Sequence, residues 1–155
     1  MNFNLKDVCF FDCETTGVPA KGLKWDADFN QFPHVVQLAW SLGDKERSFI
    51  IKPDNYEIPP ETTAIHGITT ERAIAEGVPF AEVVDEFLAD AAAARGAEVA
   101  LFGHTHKPIA LQKNGVFLFN PGSCGRCYTG PNTYGVMLLD KGRITSFAHK
   151  EVPQQ

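Results

Sequence analysis

The sequence has no apolar run near the roughly 18 residues that a membrane-spanning helix needs, and Met1 to Phe10 has neither the basic start nor the apolar core of a secretory signal. A cytoplasmic protein outside the membrane is expected. An excess of basic charge is also missing: 14 Lys and Arg against 19 Asp and Glu leave a formal net charge of -5. That excludes a broad basic surface for tight, sequence-specific duplex binding, so any nucleic acid has to be held locally, by a metal ion and a few Lys or Arg. Internal repeats, low-complexity tracts and linkers are absent too. What is there is 155 residues, 44% of them hydrophobic, enough to bury roughly two thirds of the unfolded surface without a disulfide staple.

The four cysteines, Cys9, Cys13, Cys124 and Cys127, fall as C-x-x-x-C and C-x-x-C, a pattern open to zinc or redox use. If Val8 to Cys13 is a strand, however, Cys9, Phe11 and Cys13 share one face and form a buried apolar row. Cys124 and Cys127 sit in a Gly/Pro-rich loop with no helix after them, unlike a thioredoxin-type site. Reduced, structural thiols fit better.

Alternation predicts strands at about 7–13, 34–42 and 47–52, the last two joined at Gly43-Asp44. From Pro79 the apolar residues Phe80, Val83, Val84, Phe87, Leu88 and Ala91 recur at helical spacing, predicting an amphipathic helix to about Arg95 with Gly96 as its cap. Beyond it the chain reads as strand and turn: Val99 to Phe102, Val116 to Phe119, Tyr134 to Asp140 and Arg143 to Phe147.

The first chemical motif is Asp12-Cys13-Glu14-Thr15-Thr16-Gly17. On a strand, Asp12 and Glu14 project from the same face, and two such carboxylates suit Mg²⁺ or Mn²⁺, hard ions that can clamp the oxygens of a phosphodiester. A strand-end Asp and a solvated Glu before a turn is the plainer alternative. The motif resembles the first exonuclease motif of the DEDDh 3′–5′ exonucleases, which have an RNase H-like fold. Trp25, Pro33 to Ala39, Ile51-Lys52-Pro53-Asp54, Ile58-Pro59, Ile65-His66-Gly67-Ile68-Thr69 and Gly77-Val78-Pro79 follow that family's order through about residue 92. The resemblance implies that Asp12 and Glu14 are catalytic and bind the metals, that Thr15 and Thr16 lie against a 3′-terminal nucleotide, and that His66 lies on a loop nearby. The family's further aspartate, and its late histidine followed five residues on by aspartate, are missing; the segment from His149 does not reproduce that motif.

A second motif follows in Phe102-Gly103-His104-Thr105-His106-Lys107-Pro108, where a short apolar strand ends in two histidines at i,i+2. Neutral imidazoles suit Zn²⁺, Mn²⁺ or Fe. With Asn120-Pro121-Gly122-Ser123 and Arg126 behind it, this region resembles the C-terminal part of small calcineurin-like metallophosphoesterases, over about residues 93 to 150. That resemblance implies that His104 and His106 ligate a dinuclear metal centre, with Mn or Zn. The Asp-x-His, Gly-Asp and Gly-Asn-His-Asp motifs that complete such a centre are absent from residues 1 to 92.

The expected fold is α/β: an RNase H-like N-terminal meander plus helix over residues 1–92, continued by a β-rich metallophosphoesterase-like part over 93–155, packed as one compact domain. A recombined chain joined at about 88–97 accounts for both resemblances. If strand 99–102 lies parallel to strand 7–13, both motifs reach one sheet edge, and Asp12, Glu14, His104 and His106 surround one metal-sized space. The function expected first is metal-dependent hydrolysis at a single-stranded DNA or RNA 3′ end. The alternatives are hydrolysis of small phosphodiesters or phosphomonoesters, and a catalytically incomplete module that binds metal or nucleic acid.

Overall fold

A computed structural model describes residues 8–24, 28–103, 105–125, 127 and 130–153. His104 and Arg126 of the second motif, and Trp25, lie outside the described residues. The chain divides into two units, Met1–Phe87 and Leu88–Gln155.

The first unit is built on the expected meander. Strand β1 (Cys9–Thr15) pairs antiparallel with β2 (Val35–Leu42), and β2 with β3 (Lys45–Ile50), so that Phe11 lies opposite Trp40 and Trp40 opposite Arg47. Gly43 and Asp44 make the two-residue turn between Leu42 and Lys45, as alternation and turn chemistry anticipate. Two helices of seven residues, α1 (Pro60–His66) and α2 (Thr70–Glu76), follow where no helix was expected. Each is set by its ends. Pro60 opens α1 with a φ already suited to a helix, and Gly67 closes it at φ 73, its N–H donating to the Thr63 carbonyl. Thr69 caps α2 by accepting the Arg72 N–H. These helices bury Ile58, Ile68 and Ala73 against Val36.

Helix α3 (Phe80–Ala94) is the predicted amphipathic helix, and the boundary between the two units falls inside it. Its first half places Val83 and Phe87 in a cluster with Trp40 and Ile51, the Phe87 and Trp40 rings meeting edge to face at 5.4 Å. Its second half places Leu88, Ala89 and Ala92 in a separate cluster with Val116 and Leu118 of the second unit. The apolar stripe thus serves two cores in succession. Among the described residues no helix is long and apolar enough to cross a membrane.

In the second unit β4 (Val99–Leu101), β5 (Pro108–Lys113) and β6 (Val116–Pro121) form a sheet in the order β4-β6-β5, with β4 and β6 parallel and β5 and β6 antiparallel. Strands β7 (Thr133–Asp140) and β8 (Arg143–Glu151) form a two-stranded sheet. The β5–β6 and β7–β8 hairpins turn at Asn114-Gly115 and Lys141-Gly142, where both residues of each pair have positive φ, as type I′ turns require. Phe147 stacks on Phe117 at 4.3 Å and His149 on Phe119 at 4.7 Å, joining β8 to β6.

One expectation about strand order is overturned. β4 forms at the expected place and has a parallel partner, but the partner is β6, while among the described residues β1 pairs only with β2. The chain leaves β4 through residues 102–107 and returns in the β5–β6 hairpin, which puts β6, apolar and buried on both sides, within reach first.

Candidate functional site

The first group of predicted residues stands at the end of β1. Asp12 and Glu14 lie opposite Ala39 and Gln37 of β2 on one face of the sheet, with Cys9, Phe11 and Cys13 on the other. Asp12 is exposed, and its Oδ1 turns back to accept the backbone N–H of Cys13 at 2.9 Å. The threonines are occupied in shaping the following turn. Thr15 Oγ1 donates to the Gly17 carbonyl at 2.7 Å, and Thr16 Oγ1 accepts the His34 N–H at 2.9 Å. His66 ends α1 with Nδ1 accepting the Ile68 N–H at 3.1 Å, which leaves the proton of its neutral form on Nε2, a buried atom with no partner among the described residues. The expected buried row on the other face is buried only at its start: Cys9 packs half-buried against the Trp40 cluster, whereas Cys13 is exposed and Phe11 is 67% exposed.

The second group is organised by a residue that sequence reading had noted only as part of a motif. Asn120, at the end of β6, is fully buried, and its amide nitrogen donates to the Gly103 carbonyl at 3.3 Å and to Thr105 Oγ1 at 3.0 Å. Its side-chain oxygen accepts the Gly122 N–H at 3.0 Å. One amide therefore ties the loop after β4 to the turn after β6. His149 Nε2 lies 2.8 Å from the Asn120 carbonyl oxygen, which only accepts, so this nitrogen carries the proton and braces the same corner. His106 is held at φ 58, a left-handed conformation that an ordinary side chain adopts only under constraint. Part of that constraint is Cys127, whose thiol donates to the His106 carbonyl at 3.4 Å while its N–H donates to Asn132 Oδ1 at 2.8 Å. The Cys124 thiol donates to the Thr133 carbonyl at 3.7 Å, and all four cysteines are free. The signal for this network was the spacing of Asn120 and Gly122 behind the paired histidines, but the long contacts that complete it come from the fold.

The described residues do not fit the divalent metal that both motifs imply. Among the described residues no group of three or more His, Cys, Asp and Glu gathers closely enough to hold an ion. The expectation of Mg or Mn at Asp12 and Glu14, and of Mn or Zn at His104 and His106, is corrected accordingly. At the carboxylates, the strand that would bring further ligands alongside β1 is paired in another sheet. At the histidines, His104 lies outside the described residues, and His106 belongs to no group of three or more His, Cys, Asp and Glu among them. Asp12 and Glu14 belong to the first unit and His106 to the second.

Comparison with solved structures finds Exonuclease I of E. coli in complex with a dA16 oligonucleotide, at 24% identity and a TM-score of 0.39, over 52% of this chain and 18% of that one. The SSB/Exonuclease I structure with the inhibitor CFAM matches at 26% identity and a TM-score of 0.37, over 51% of this chain and 17% of that one. This chain thus spans less than a fifth of the length of those proteins. No curated protein matches. The profile of the calcineurin-like phosphoesterase superfamily domain matches residues 61–142, beginning ahead of the 88–97 segment at which the two resemblances change over and taking in both the paired-histidine loop and the Asn120 turn. With more than half of its length under that profile, the chain belongs to the calcineurin-like phosphoesterase superfamily.

Proposed function

We propose that this chain is a phosphoester-recognising member of its superfamily that does not complete hydrolysis by itself, and that recognition takes place at the loops after β4 and β6. The observation that carries the reading is the fully buried Asn120, whose side-chain amide ties Gly103 and Thr105 to Gly122. A loop preorganised in this way keeps its backbone donors and the neighbouring His106 and Lys107 side chains in place for an anionic oxygen, at little ordering cost on binding. Lys107 is exposed and supplies a local positive charge beside this loop on a chain of net charge -5. Metal-assisted turnover would need a set of ligands that the described residues do not gather. The exonuclease-type reading of Asp12, Glu14, Thr15 and Thr16 is less well supported, because both threonine hydroxyls are already used within the turn.

The test is a titration of the amide spectrum with inorganic phosphate, adenosine monophosphate and an aryl phosphodiester. Shifts are expected at Gly103, Thr105 and Gly122, and Lys107→Ala should weaken binding about tenfold, which corresponds to about 1.4 kcal/mol. Asp12→Ala should leave binding unchanged. Absence of shifts with all three probes sinks the reading. So does hydrolysis of the diester, with or without added Mn²⁺, that His106→Ala abolishes.

A further inference from the structure

Cys124 and Cys127 are fastened to consecutive residues where β7 begins. The Cys124 thiol donates to the Thr133 carbonyl at 3.7 Å, and the Cys127 N–H donates to Asn132 Oδ1 at 2.8 Å. Consecutive Cα atoms are about 3.8 Å apart, so these anchors keep the two cysteines close. The chain bends at Cys124 and Gly125, and the ends of a four-residue turn approach within about 7 Å, close to the roughly 4.4–6.8 Å that a disulfide spans. A Cβ at Gly125 would meet nothing within 4 Å, which leaves the turn room to shift. Both thiols are free, Cys124 exposed and Cys127 half-buried. Among the described residues they join no group of three or more metal-ligating side chains, and the next element after them is a strand, so neither a metal nor a thioredoxin-type helix accounts for the pair.

What the pair does is visible at His106. The Cys127 thiol donates to the His106 carbonyl at 3.4 Å across 21 residues of chain, and His106 at φ 58 keeps a conformation that persists only where its surroundings hold it. On either side of it the Thr105 N–H donates to the Gly103 carbonyl at 2.9 Å and the Lys107 N–H to Thr105 Oγ1 at 3.4 Å. We propose that Cys124 and Cys127 are a redox-sensitive clasp on this turn: reduced, Cys127 holds His106 in place, and joined as a disulfide the two release it and weaken phosphoester binding. The effect on binding rests on phosphoester recognition at this loop. A disulfide sulfur carries no hydrogen, so oxidation ends the donation to both the His106 and the Thr133 carbonyls. The oxidant is a small disulfide. The exposed Cys124, losing its proton, attacks it and expels one small thiol; Cys127, losing its proton, then attacks the Cys124 sulfur of the mixed disulfide and expels the second. Two electrons and two protons thus leave the protein, and the small disulfide departs as two thiols.

Incubation with glutathione disulfide should join the tryptic peptides 114–126 and 127–141, which trypsin otherwise parts after Arg126. In the oxidised chain, without any ligand, hydrogen exchange at the Thr105 and Lys107 amides should quicken about fivefold, the worth of one modest hydrogen bond, while the amides of β2 and β3 keep their rate. Binding of inorganic phosphate, followed at Gly103, Thr105 and Gly122, should weaken by the same factor and recover with dithiothreitol. Cys127→Ser keeps a donor for the His106 carbonyl and should abolish every response to glutathione disulfide, whereas Cys127→Ala should show the fast exchange already when reduced. Absence of the joined peptides overturns the proposal, as does an oxidised chain whose Thr105 and Lys107 amides exchange no faster, or a Cys127→Ser chain that still responds. Fast exchange on oxidation in a chain that shows no phosphate shifts when reduced supports the clasp and sinks the recognition reading alone.

Discussion

Asn120 shows how much a single side chain can organise when each of its polar atoms is used. Replacing it with Ala removes three hydrogen bonds made by a fully buried side chain, at a cost of about 2–3 kcal/mol. Urea denaturation of Asn120→Ala should show that loss, together with loss of the phosphate-induced shifts. Gly135 illustrates the opposite constraint, since a Cβ there would run into the Phe119 ring, the same ring on which His149 stacks. Tyr56 carries a pH dependence. Burial, and secondly the nearby Asp54 carboxylate, raise its pKa above the ordinary 10.0, while its hydroxyl donates to the Val35 carbonyl at 3.1 Å. A phenol whose folded pKa is raised contributes stability in full below pH 10 and loses it as pH climbs through the raised value. Alkaline titration followed by phenolate absorbance should show one tyrosine ionising late, and Asp54→Asn should bring it part of the way back.

Among the elements, α1 and α2 were not legible from periodicity, because seven residues hold barely two turns and no repeating apolar stripe. Their ends were nonetheless written in the sequence: Pro60 and Gly67 bracket α1, and Thr69 stands at the cap of α2. Thr69→Ala should cost about 1 kcal/mol and lower the exchange protection of the Arg72 amide, which the threonine oxygen accepts at 3.1 Å. Strand β5 was missed for a different reason. Its Pro108 start and exposed alternate residues read as loop, although Asn114-Gly115 just after it is a strong local signal for a two-residue hairpin. The cap and turn residues were thus better guides than hydrophobic pattern wherever the element was short.

For the whole molecule, the division of α3 between two cores has a measurable consequence. Leu118 is fully buried in the cluster that also takes Leu88, Ala89 and Ala92. Leu118→Ala should destabilise that cluster by about 2–5 kcal/mol. Hydrogen exchange should then speed up at the amides of residues 88–94 more than at those of 80–87, whose side chains pack on Trp40 and Ile51. Equal loss along the helix would mean that the two clusters melt as one.

Alternation, helical spacing and turn residues are local, and they were enough to specify the β1-β2-β3 meander, the long helix and the β7–β8 hairpin, each held by contacts among neighbours in sequence. They also placed Asp12 with Glu14 on one face of a strand. Strand partnership is a different kind of choice. An apolar three-residue strand such as β4 can pair with any open edge of suitable register, and the outcome depends on which edge the chain brings within reach. Here that edge is β6, and β4 does not pair beside the strand that carries the carboxylates. A metal centre assembled from ligands far apart in sequence depends on such partnerships, and its motifs can persist where the convergence is missing. The Asn120 corner has the same origin in long-range contacts. Its residues span Gly103 to His149, and their meeting is decided by the pairing of β4, β5 and β6 and by the aromatic stack that holds β8 on β6.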